Sequence, residues 1–458
     1  MNPDDENMKL SLHKYVAVVA VLFVLVMTVL DVTVVNVALP VLAVEFGISD
    51  SYSVWLVTIY QLVITMLLLP LSSMGDLFSY RRNFLIGVVV FTLASALCAS
   101  ARGFTMILIA RAIQGVGAAL VMSVNIALVR LIYPRKILGR GLALNAMVIA
   151  IATAAGPTLA GTILSVSSWH WLFLINVPFG VFAFFLGKKY LPANPPKDFK
   201  PRFDWISGLA NMVVFGSIFY SLGSIAHKGD LSTSIILLVI GIATGVFYVK
   251  RQLHRKSPML PIDLLKIRLY TLSIITSTCS FIAQNMAMIA LPFLFLNSYG
   301  FSEITTGLLM TPWPLTTMIV SPLAARFVEK HNAGLTATAG MLVYCVALLL
   351  LLLAPSGNIS VWNIAWRMAL CGVGFGLFQT PNNIVMVVAT PVERTGGAGG
   401  MQSTARLTGQ TLGAVIVTIV FAVAVKSSVS VCLIIAMAFA LVAAVFSVSR
   451  ASHLPKLR

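Results

Sequence analysis

The chain has 458 residues, of which 59% are hydrophobic and 10% are charged, and it carries a net charge of +17. Because soluble domains have about 25% charged residues, there are too few charges here to cover a water-facing surface, which excludes an ordinary soluble protein. The positive balance would suggest nucleic-acid binding in a soluble chain, but in a membrane protein such residues hold cytoplasmic loops in place.

Apolar runs long enough to cross a bilayer recur along the whole chain. A window of about 19 residues predicts fourteen spanning helices, since a helix satisfies its own backbone hydrogen bonds in lipid. The predicted spans are 15–40, 52–72, 83–101, 105–127, 141–164, 169–189, 206–226, 233–250, 270–296, 304–325, 334–354, 362–386, 398–424 and 430–449. The first run is too long for a signal-peptide core, which predicts a retained first helix.

The distribution of Lys and Arg predicts the orientation and supports the number of spans. With a cytoplasmic N-terminus, 25 of the 31 Lys and Arg residues fall in inward segments, three in outward loops and three within spans. Since positive residues favour cytoplasmic loops, this split predicts that both termini are cytoplasmic. One missed or extra span would scramble the alternation, so an even number of helices is favoured as well.

Two long polar stretches, 188–205 and 251–268, divide the chain. They predict an N-terminal six-helix bundle in residues 1–190, a linker with two extra spanning helices in 191–268, and a C-terminal six-helix bundle in 269–458. A rough repeat links the bundles, because Arg111–Gly117 (RAIQGVG) in span 4 resembles Arg367–Gly374 (RMALCGVG) in span 12, with the spacing off by one. Paired bundles of this kind are a transporter architecture.

Asp31 is the one acidic residue that sits well inside a span. A carboxyl group in hydrocarbon is costly, so its presence there suggests a group that binds and releases protons. Arg111 in span 4 is the expected partner, because an arginine keeps its proton and must find an anion, a carbonyl or water. Movement between the two would switch proton affinity. The alternative is a fixed ion pair that only holds helices together.

Glycines predict close helix packing in spans 4 and 5. Gly115 and Gly117 lie in span 4, and Gly156 and Gly161 lie in span 5. Small residues let spanning helices approach each other closely. Pro157 removes a backbone donor and predicts a bend in span 5.

The substrate cavity is expected between the bundles near the middle of the membrane. Amides and aromatic rings on mostly apolar walls suit amphiphilic molecules. The candidate lining residues are Tyr60, Gln61, Asn125, Asn145, Gln284, Asn285, Trp313, Phe378, Gln379, Asn382, Asn383 and Arg406. Hydrogen bonding between helices or simple packing is an equal alternative for the amides and aromatic residues. For Arg406 the alternatives are contact with substrate or a gate, and a structural role.

Several segments together resemble the motifs of the major facilitator superfamily and, within it, of the fourteen-span drug/proton antiporter family. The resemblance covers the whole chain. It is carried by Leu108–Ala119 (LIARAIQGVGAA), the antiporter-like Gly156–Gly161 (GPTLAG), Leu30–Pro40 (LDVTVVNVALP), Trp169–Gly180 (WHWLFLINVPFG) and Phe203–Trp205 (FDW).

The resemblance implies an all-α integral membrane protein with the major facilitator fold, two six-helix bundles plus two extra central helices. It implies alternating access, with Asp31 carrying the proton, Arg111 coupling it, and the Gly156-Pro157 bend controlling closure of the cytoplasmic-release pathway. It also implies a bacterial inner-membrane location.

Two departures from the family pattern qualify what the resemblance implies. In the loop after span 2, the family expects glycine at positions 72 and 79 and arginine at 77, where this chain has Ser72, Ser79 and Leu77. The gating ion pair of Asp76 and Arg81 remains. No acid lies well inside spans 9 to 14, which argues against strongly dicationic substrates.

The leading hypothesis is proton-coupled efflux of small amphiphilic, drug-like compounds by a monomer that works with substrate, protons and the bilayer and binds no nucleic acid. The second is transport of an organic anion or metabolite, with Arg111 or Arg406 binding the anion. A membrane enzyme is a distant third, because it would need exposed catalytic acids or a metal cluster in a large outer loop. Five cysteines without a CxxC pair and the lack of a GxxxxGK[ST] sequence predict no metal, no cofactor and no use of ATP.

Overall fold

The structure, a computed structural model, describes residues 12–77, 79–134, 137–194, 203–226, 230–255, 258–355, 359–391, 395–425 and 427–451, without the side chains of Asp76, Thr395 and Ala451. Regular structure in these ranges is helical and includes no strand. Fourteen helical segments are long and apolar enough to cross a membrane, which confirms the predicted number of spans.

The fourteen spans are labelled α1 to α14 in chain order. The first seven are α1 Leu12–Glu45, α2 Asp50–Leu77, α3 Tyr80–Ala99, α4 Phe104–Ile132, α5 Leu138–Val166, α6 Trp171–Leu174 with Asn176–Tyr190, and α7 Trp205–Ala226. The others are α8 Leu231–Leu253, α9 Arg268–Phe293 with a π turn Leu294–Ser298, α10 Glu303–Met310 with Pro312–Val328, α11 Ala333–Leu352, α12 Val361–Val388, α13 Thr395–Val423 and α14 Ser428–Ala451. A short 3₁₀ helix, Ile262–Lys266, precedes α9.

Most helices extend a few residues beyond the predicted spans, because a helix continues past the hydrocarbon while hydropathy records only its apolar part. Two interruptions coincide with proline. The break in α10 falls at Thr311, directly before Pro312, and the π turn of α9 follows Pro292. Proline lacks the N–H that a regular helix needs at that point. The helix α5, in contrast, continues across Pro157.

Successive spans reverse direction, so α1 begins and α14 ends on the same face of the molecule. This face is called the termini face, and the other is called the far face. The spans α1–α6 form the first bundle and α9–α14 form the second.

The two bundles repeat the same close glycine contacts. A Cβ added to Gly117 in α4 would lie 2.5 Å from the backbone N of Phe91 in α3, and one added to Gly374 in α12 would lie 2.5 Å from the backbone N of Tyr344 in α11. Such positions admit no side chain, so the helices touch backbone to backbone. The repeat suggested by the two arginine–glycine segments is therefore present in the packing.

The repeat extends to the helices that pack on the other side of α4 and α12, which are α2 and α10. Gly115 in α4 faces the backbone O of Tyr60 in α2, at 3.0 Å from an added Cβ, and Gly372 in α12 faces the backbone O of Trp313 in α10, at 2.1 Å. Arg111 lies four residues before Gly115, and Met368 lies four residues before Gly372. The second bundle thus has methionine where the first has arginine, and Arg367 is one residue out of register.

The extra helix α7 lies in the groove between the bundles. Its Phe219 packs in one cluster with Leu62 of α2 and Val415 of α13. The Nδ2 of its Asn211 donates to the backbone O of Met66 at 2.8 Å. The helix α8 lies outside α7 and exposes most of its apolar residues. The residue boundaries of the three parts stay a prediction.

A charged cluster joins α7 to α8 at the termini face. Asp204, just before α7, accepts from Arg251 at 3.0 Å and forms an ion pair with Arg255 at 3.1 Å. It also accepts from the backbone N of Ser207 at 3.2 Å, as a helix cap does. Burial raises the pKa of Asp204, but hydrogen bonds from Ser207 and Arg251 outweigh that effect, so the pKa of Asp204 is lowered overall.

Asp204→Asn is expected to lower the thermal unfolding midpoint by a few °C at pH 7, because asparagine can still cap α7 but cannot form the partly exposed ion pairs with Arg251 and Arg255, which contribute about 1 kcal/mol. A carboxyl group with a lowered folded-state pKa stabilises the fold above its unfolded pKa and loses that contribution as pH falls through the folded value. The difference between wild type and variant should therefore shrink below about pH 4. Light scattering or intrinsic fluorescence during heating measures it, and a difference unchanged down to pH 3 would contradict the assignment.

Candidate functional site

A fully buried ion pair connects α1 to α4. Arg111 donates through Nη1 to Oδ2 of Asp31, and both side chains are 0% exposed. The structure therefore brings together the one deep acid and its expected partner. Isolated charges of this kind would each be expensive to bury, and only good geometry with further hydrogen bonds offsets that cost.

Two amides complete the environment of the carboxyl group. The Nε2 of Gln114 donates to Asp31 Oδ1 at 2.8 Å and to Ser95 Oγ at 2.8 Å, and Nδ2 of Asn176 lies 3.4 Å from Asp31 Oδ1. The Oε1 of Gln114 accepts from Arg111 Nη1 at 2.6 Å. The three side chains that hydrogen-bond to Asp31 are all donors, which is the arrangement that a carboxylate accepts.

Sequence reasoning did not assign Gln114 and Asn176 to the site, although both occur in the motifs that resemble the superfamily. The available signal was a polar amide inside an apolar span, which is costly unless it has a partner. The sequence does not show how each helix is rotated about its axis, and this rotation is what turns the two amides toward α1.

Arg111 is held on its other side by α2 and by an aromatic ring. Its Nε donates to the backbone O of Leu56 at 3.1 Å, and its guanidinium lies 4.2 Å from the ring centre of Tyr60. Phe173 of α6 lies on a further side, with its ring centre 5.8 Å away. Such cation–π contacts favour a charged guanidinium in a dry site. Tyr60, a candidate for the cavity wall, thus belongs to the charge site in this conformation.

The glycines of α5 permit close contact with two other helices. Gly156 faces the side chain of Thr33 in α1. A Cβ on Gly161 would lie 2.4 Å from the backbone O of Glu303, and one on Gly307 would lie 2.3 Å from the backbone O of Pro157. Since Glu303 begins α10 and Gly161 lies late in α5, the first and second bundles touch backbone to backbone toward the far face.

Hydrogen bonds join the bundles in the same part of the molecule. The Oγ of Ser51 donates to the backbone O of Thr418 at 2.7 Å, near the far face. The other bonds between the bundles, within the described ranges, are Thr158–Thr311 at 2.6 Å, Asn285–Gln61 at 3.3 Å and Thr65–Thr411 at 3.1 Å. They lie between the far face and the middle of the membrane. The conformation is therefore closed at the far face.

Gly161→Ala is expected to open the far face and to remove most transport activity. The added methyl group meets a backbone carbonyl, which cannot rotate away, so α5 and α10 must separate. Spin labels at Ser165→Cys and Ser302→Cys, with the native cysteines replaced by serine, should report longer distances. Gly103→Ala is the matched control at the same face, because nothing lies within 4 Å of its added Cβ. An unchanged distance distribution in Gly161→Ala would contradict the packing account.

The loop between α2 and α3 is tied to the end of α6. Arg81 donates through Nη2 to the backbone O of Lys188. Asn194 accepts from the backbone N of Tyr80 at 2.9 Å and donates to the backbone O of Gly75 at 3.4 Å. The sequence did not indicate Asn194. The side chain of Asp76 lies outside the described residues, so its pairing with Arg81 stays a prediction.

Most of the predicted cavity residues lie between helices in this conformation. Asn125 donates to Asn145 at 3.2 Å, which connects α4 to α5. Asn285 donates to Gln61 and also, at 2.6 Å, to the backbone O of Gln410. Trp313 is 0% exposed and Phe378 is 1% exposed. Gln284, Gln379, Asn383 and Arg406 are half-buried. Contact of any of these residues with substrate stays a prediction.

Arg450 lies one residue beyond the predicted span 430–449, at the termini face, and its side chain is buried. The residue lies in the last turn of α14 with 0% exposure. It donates to Asn382 of α12, to Ser273 of α9 at 2.8 Å and to Ser447 at 3.1 Å. Asn382, a cavity candidate, therefore serves to hold a buried arginine here. Hydropathy cannot show this, because an arginine at a span end usually reaches water.

Two six-helix bundles with matched internal packing, two added helices and a buried acid–arginine pair define a secondary-transporter fold. The profile of the Major Facilitator Superfamily matches residues 21–414 and 273–457, and the chain belongs to that superfamily. The family and fold predictions are thereby confirmed.

Particular relatives refine this placement. The chain is 46% identical over 407 residues to the uncharacterized transporter YebQ of Escherichia coli (strain K12), with 89% of each chain covered. It is 31% identical over 387 residues to the multidrug resistance protein Stp of Mycobacterium tuberculosis, covering 84% of this chain and 71% of Stp. Among solved structures, a POT family transporter in complex with 5-aminolevulinic acid has a TM-score of 0.73 at 14% identity, covering 95% of this chain and 96% of its own. This last likeness concerns the fold.

Proposed function

We propose that the protein is a proton-coupled antiporter that exports small amphiphilic compounds by alternating access, and that it has no enzymatic activity. The observation that carries the proposal is the Asp31–Arg111 pair, which is the deep acid of the chain bound to a buried cation at the junction of α1, α2 and α4. A transporter needs such a group where moving helices meet, because its charge can then bias their arrangement.

The coupling step follows from the contacts of the pair. A proton on Asp31 removes the negative charge that holds Arg111, so the guanidinium loses its main partner. It also turns one acceptor oxygen into a donor, and at Oδ2 this hydroxyl faces the N–H of Arg111, which can only donate. Protonation therefore favours a different arrangement of α1 and α4. Loss of the proton restores the arrangement seen here.

The conformation fits one half of the transport cycle. The far face is closed by α2–α13 and α5–α10 contacts, so substrate enters or leaves at the termini face. We propose that the termini face is cytoplasmic, since Lys and Arg are concentrated there, and that the membrane is the inner membrane of a bacterium. In that orientation the structure is the state that collects substrate from inside the cell.

Drug-like compounds are the proposed cargo. Amide and aromatic side chains occur on otherwise apolar helices around the bundle junction, which suits amphiphiles. The similarity to Stp, named as a multidrug resistance protein, supports this class.

A susceptibility screen tests the proposal. Cells that overproduce the protein are exposed to a panel of toxic amphiphiles, beside cells with equal amounts of Asp31→Asn. Protection by wild type and none by the variant would support proton-driven export. Equal protection by both would contradict it, and no protection against any compound would favour an endogenous metabolite over drugs.

Transport of an anionic metabolite, in place of drug-like compounds, is the second candidate function. The observation that favours it is Arg406, an arginine within α13 for which no hydrogen bond or ion pair is formed in the described part of the chain.

A further inference from the structure

Among the arginines that are buried or half-buried deep within the spans, Arg406 differs from Arg111, Arg367 and Arg450 in having no partner in the described part of the chain. Arg111 binds Asp31, Arg450 binds three side chains, and Arg367 donates to the backbone O of Asn363 at 2.7 Å. No described residue accepts from Arg406, and its Nε is buried without a hydrogen bond. A guanidinium has five N–H donors and cannot conveniently lose its proton, so it requires an anion, a carbonyl or water.

The position of Arg406 is the boundary between the bundles. Arg406 lies near the middle of α13. The residue after it, Leu407, packs in one cluster with Met27 and Tyr60 of the first bundle. One turn further along, Thr411 bonds to Thr65 of α2. Gly409 packs against the backbone O of Thr278 in α9. Arg406 is half-buried, which leaves part of its side chain open to a bound molecule.

Arg406 lies on a polar face of α13. Gln402, Ser403 and Gln410 are spaced three or four residues from Arg406 and are half-buried as well. Residues at these spacings share one side of a helix. The side that carries Arg406 thus offers amide and hydroxyl groups beside a positive charge.

The charge of Arg406 is not balanced within the membrane. Asp31 is the one acid well inside a span, and Arg111 occupies it. In surroundings of low dielectric constant, an unbalanced positive charge attracts anions and repels cations strongly.

We propose that Arg406 binds an anionic group of the substrate, so that the exported amphiphiles are organic acids carrying a carboxylate or sulfonate. This inference rests on the proposed function and gives the chemical class of its substrate. A planar guanidinium pairs with both oxygens of such a group. The apolar remainder of the molecule then lies along the bundle junction.

The test measures binding to the purified full-length protein, without any gradient. Three fluorescent probes share one apolar body and differ in charge: dansylglycine (anion), dansylglycinamide (neutral) and dansyl-ethylenediamine (cation). Wild type is expected to bind dansylglycine about tenfold more tightly than the amide, and the cation least tightly, because a charge-assisted hydrogen bond is worth roughly a factor of ten in affinity.

Three variants locate the effect. Arg406→Met should reduce the preference for the anion to less than about twofold while leaving the affinity for the neutral amide unchanged, which also shows that the variant is folded. Arg406→Lys should keep part of the preference, because the charge remains but the planar fork is lost. Arg367→Met is the matched control and should keep all of it. No preference for the anion in wild type, or a full preference in Arg406→Met, would overturn the proposal.

The outcome is independent of proton coupling. Asp31→Asn should retain the preference for dansylglycine even where it no longer exports anything against a gradient. A failed charge preference therefore rejects only the substrate class, and a failed Asp31→Asn transport test rejects only the proton mechanism.

Discussion

Asp31→Asn is expected to abolish substrate accumulation driven by a pH gradient while leaving the protein folded. Asparagine keeps the shape and one acceptor oxygen, so Gln114 and Asn176 can still donate to it, but it carries neither a charge nor an exchangeable proton at neutral pH. In proteoliposomes with the voltage clamped, a gradient of about one pH unit and one proton per substrate support about tenfold accumulation in wild type. The variant should reach a ratio of about one.

The matched control is Asp230→Asn. Asp230 caps α8 in an exposed position, where asparagine serves as well, so this variant should accumulate substrate like wild type. Full accumulation by Asp31→Asn would remove Asp31 from the coupling mechanism.

Arg111→Met is expected to destabilise the protein by about 3–5 kcal/mol, the usual cost of leaving one partner of a buried ion pair alone. Methionine is the natural choice, since Met368 holds the equivalent position in the second bundle, beside the same glycine contact. The double variant Asp31→Asn/Arg111→Met should recover most of the stability, because no buried charge remains unpaired. It should not recover coupled transport.

Thermal unfolding of the two single variants and the double variant in the same detergent gives the coupling energy directly. Recovery of stability in the double variant would show that each single variant loses stability because the ion pair is broken. Additive losses would mean that Arg111 stabilises the bundle through Leu56 and Tyr60 and independently of Asp31.

Much of the fold was predictable because its determinants are local. Hydropathy gives fourteen spans, since each span must be apolar along its own length. The concentration of Lys and Arg in alternate loops predicts which loops lie on the same side of the membrane. The pairing of Asp31 with Arg111 was also predictable, because a bilayer offers a deep acid and a deep cation few partners besides each other.

The positions of the remaining site residues depend on how each helix is rotated and how deeply it packs. The sequence of a single span does not show either. Gln114 and Asn176 reach Asp31 only because α4 and α6 present them to α1. Tyr60 was expected in the cavity wall and lies over Arg111. Arg450 lies at a span end, where hydropathy is compatible with both a solvated and a buried side chain. It is buried here because Ser273 and Asn382 on other helices accept its hydrogen bonds.

The most direct test of the proposed mechanism measures both fluxes at once. Proteoliposomes containing wild type, loaded with a compound identified by the susceptibility screen, are followed with a pH-sensitive dye and by substrate counting. The proposed mechanism predicts that outward substrate movement drives proton entry, and that an imposed pH gradient of the right sign drives substrate against its own gradient, with neither effect in Asp31→Asn. Substrate movement in wild type without any accompanying proton flux would contradict it.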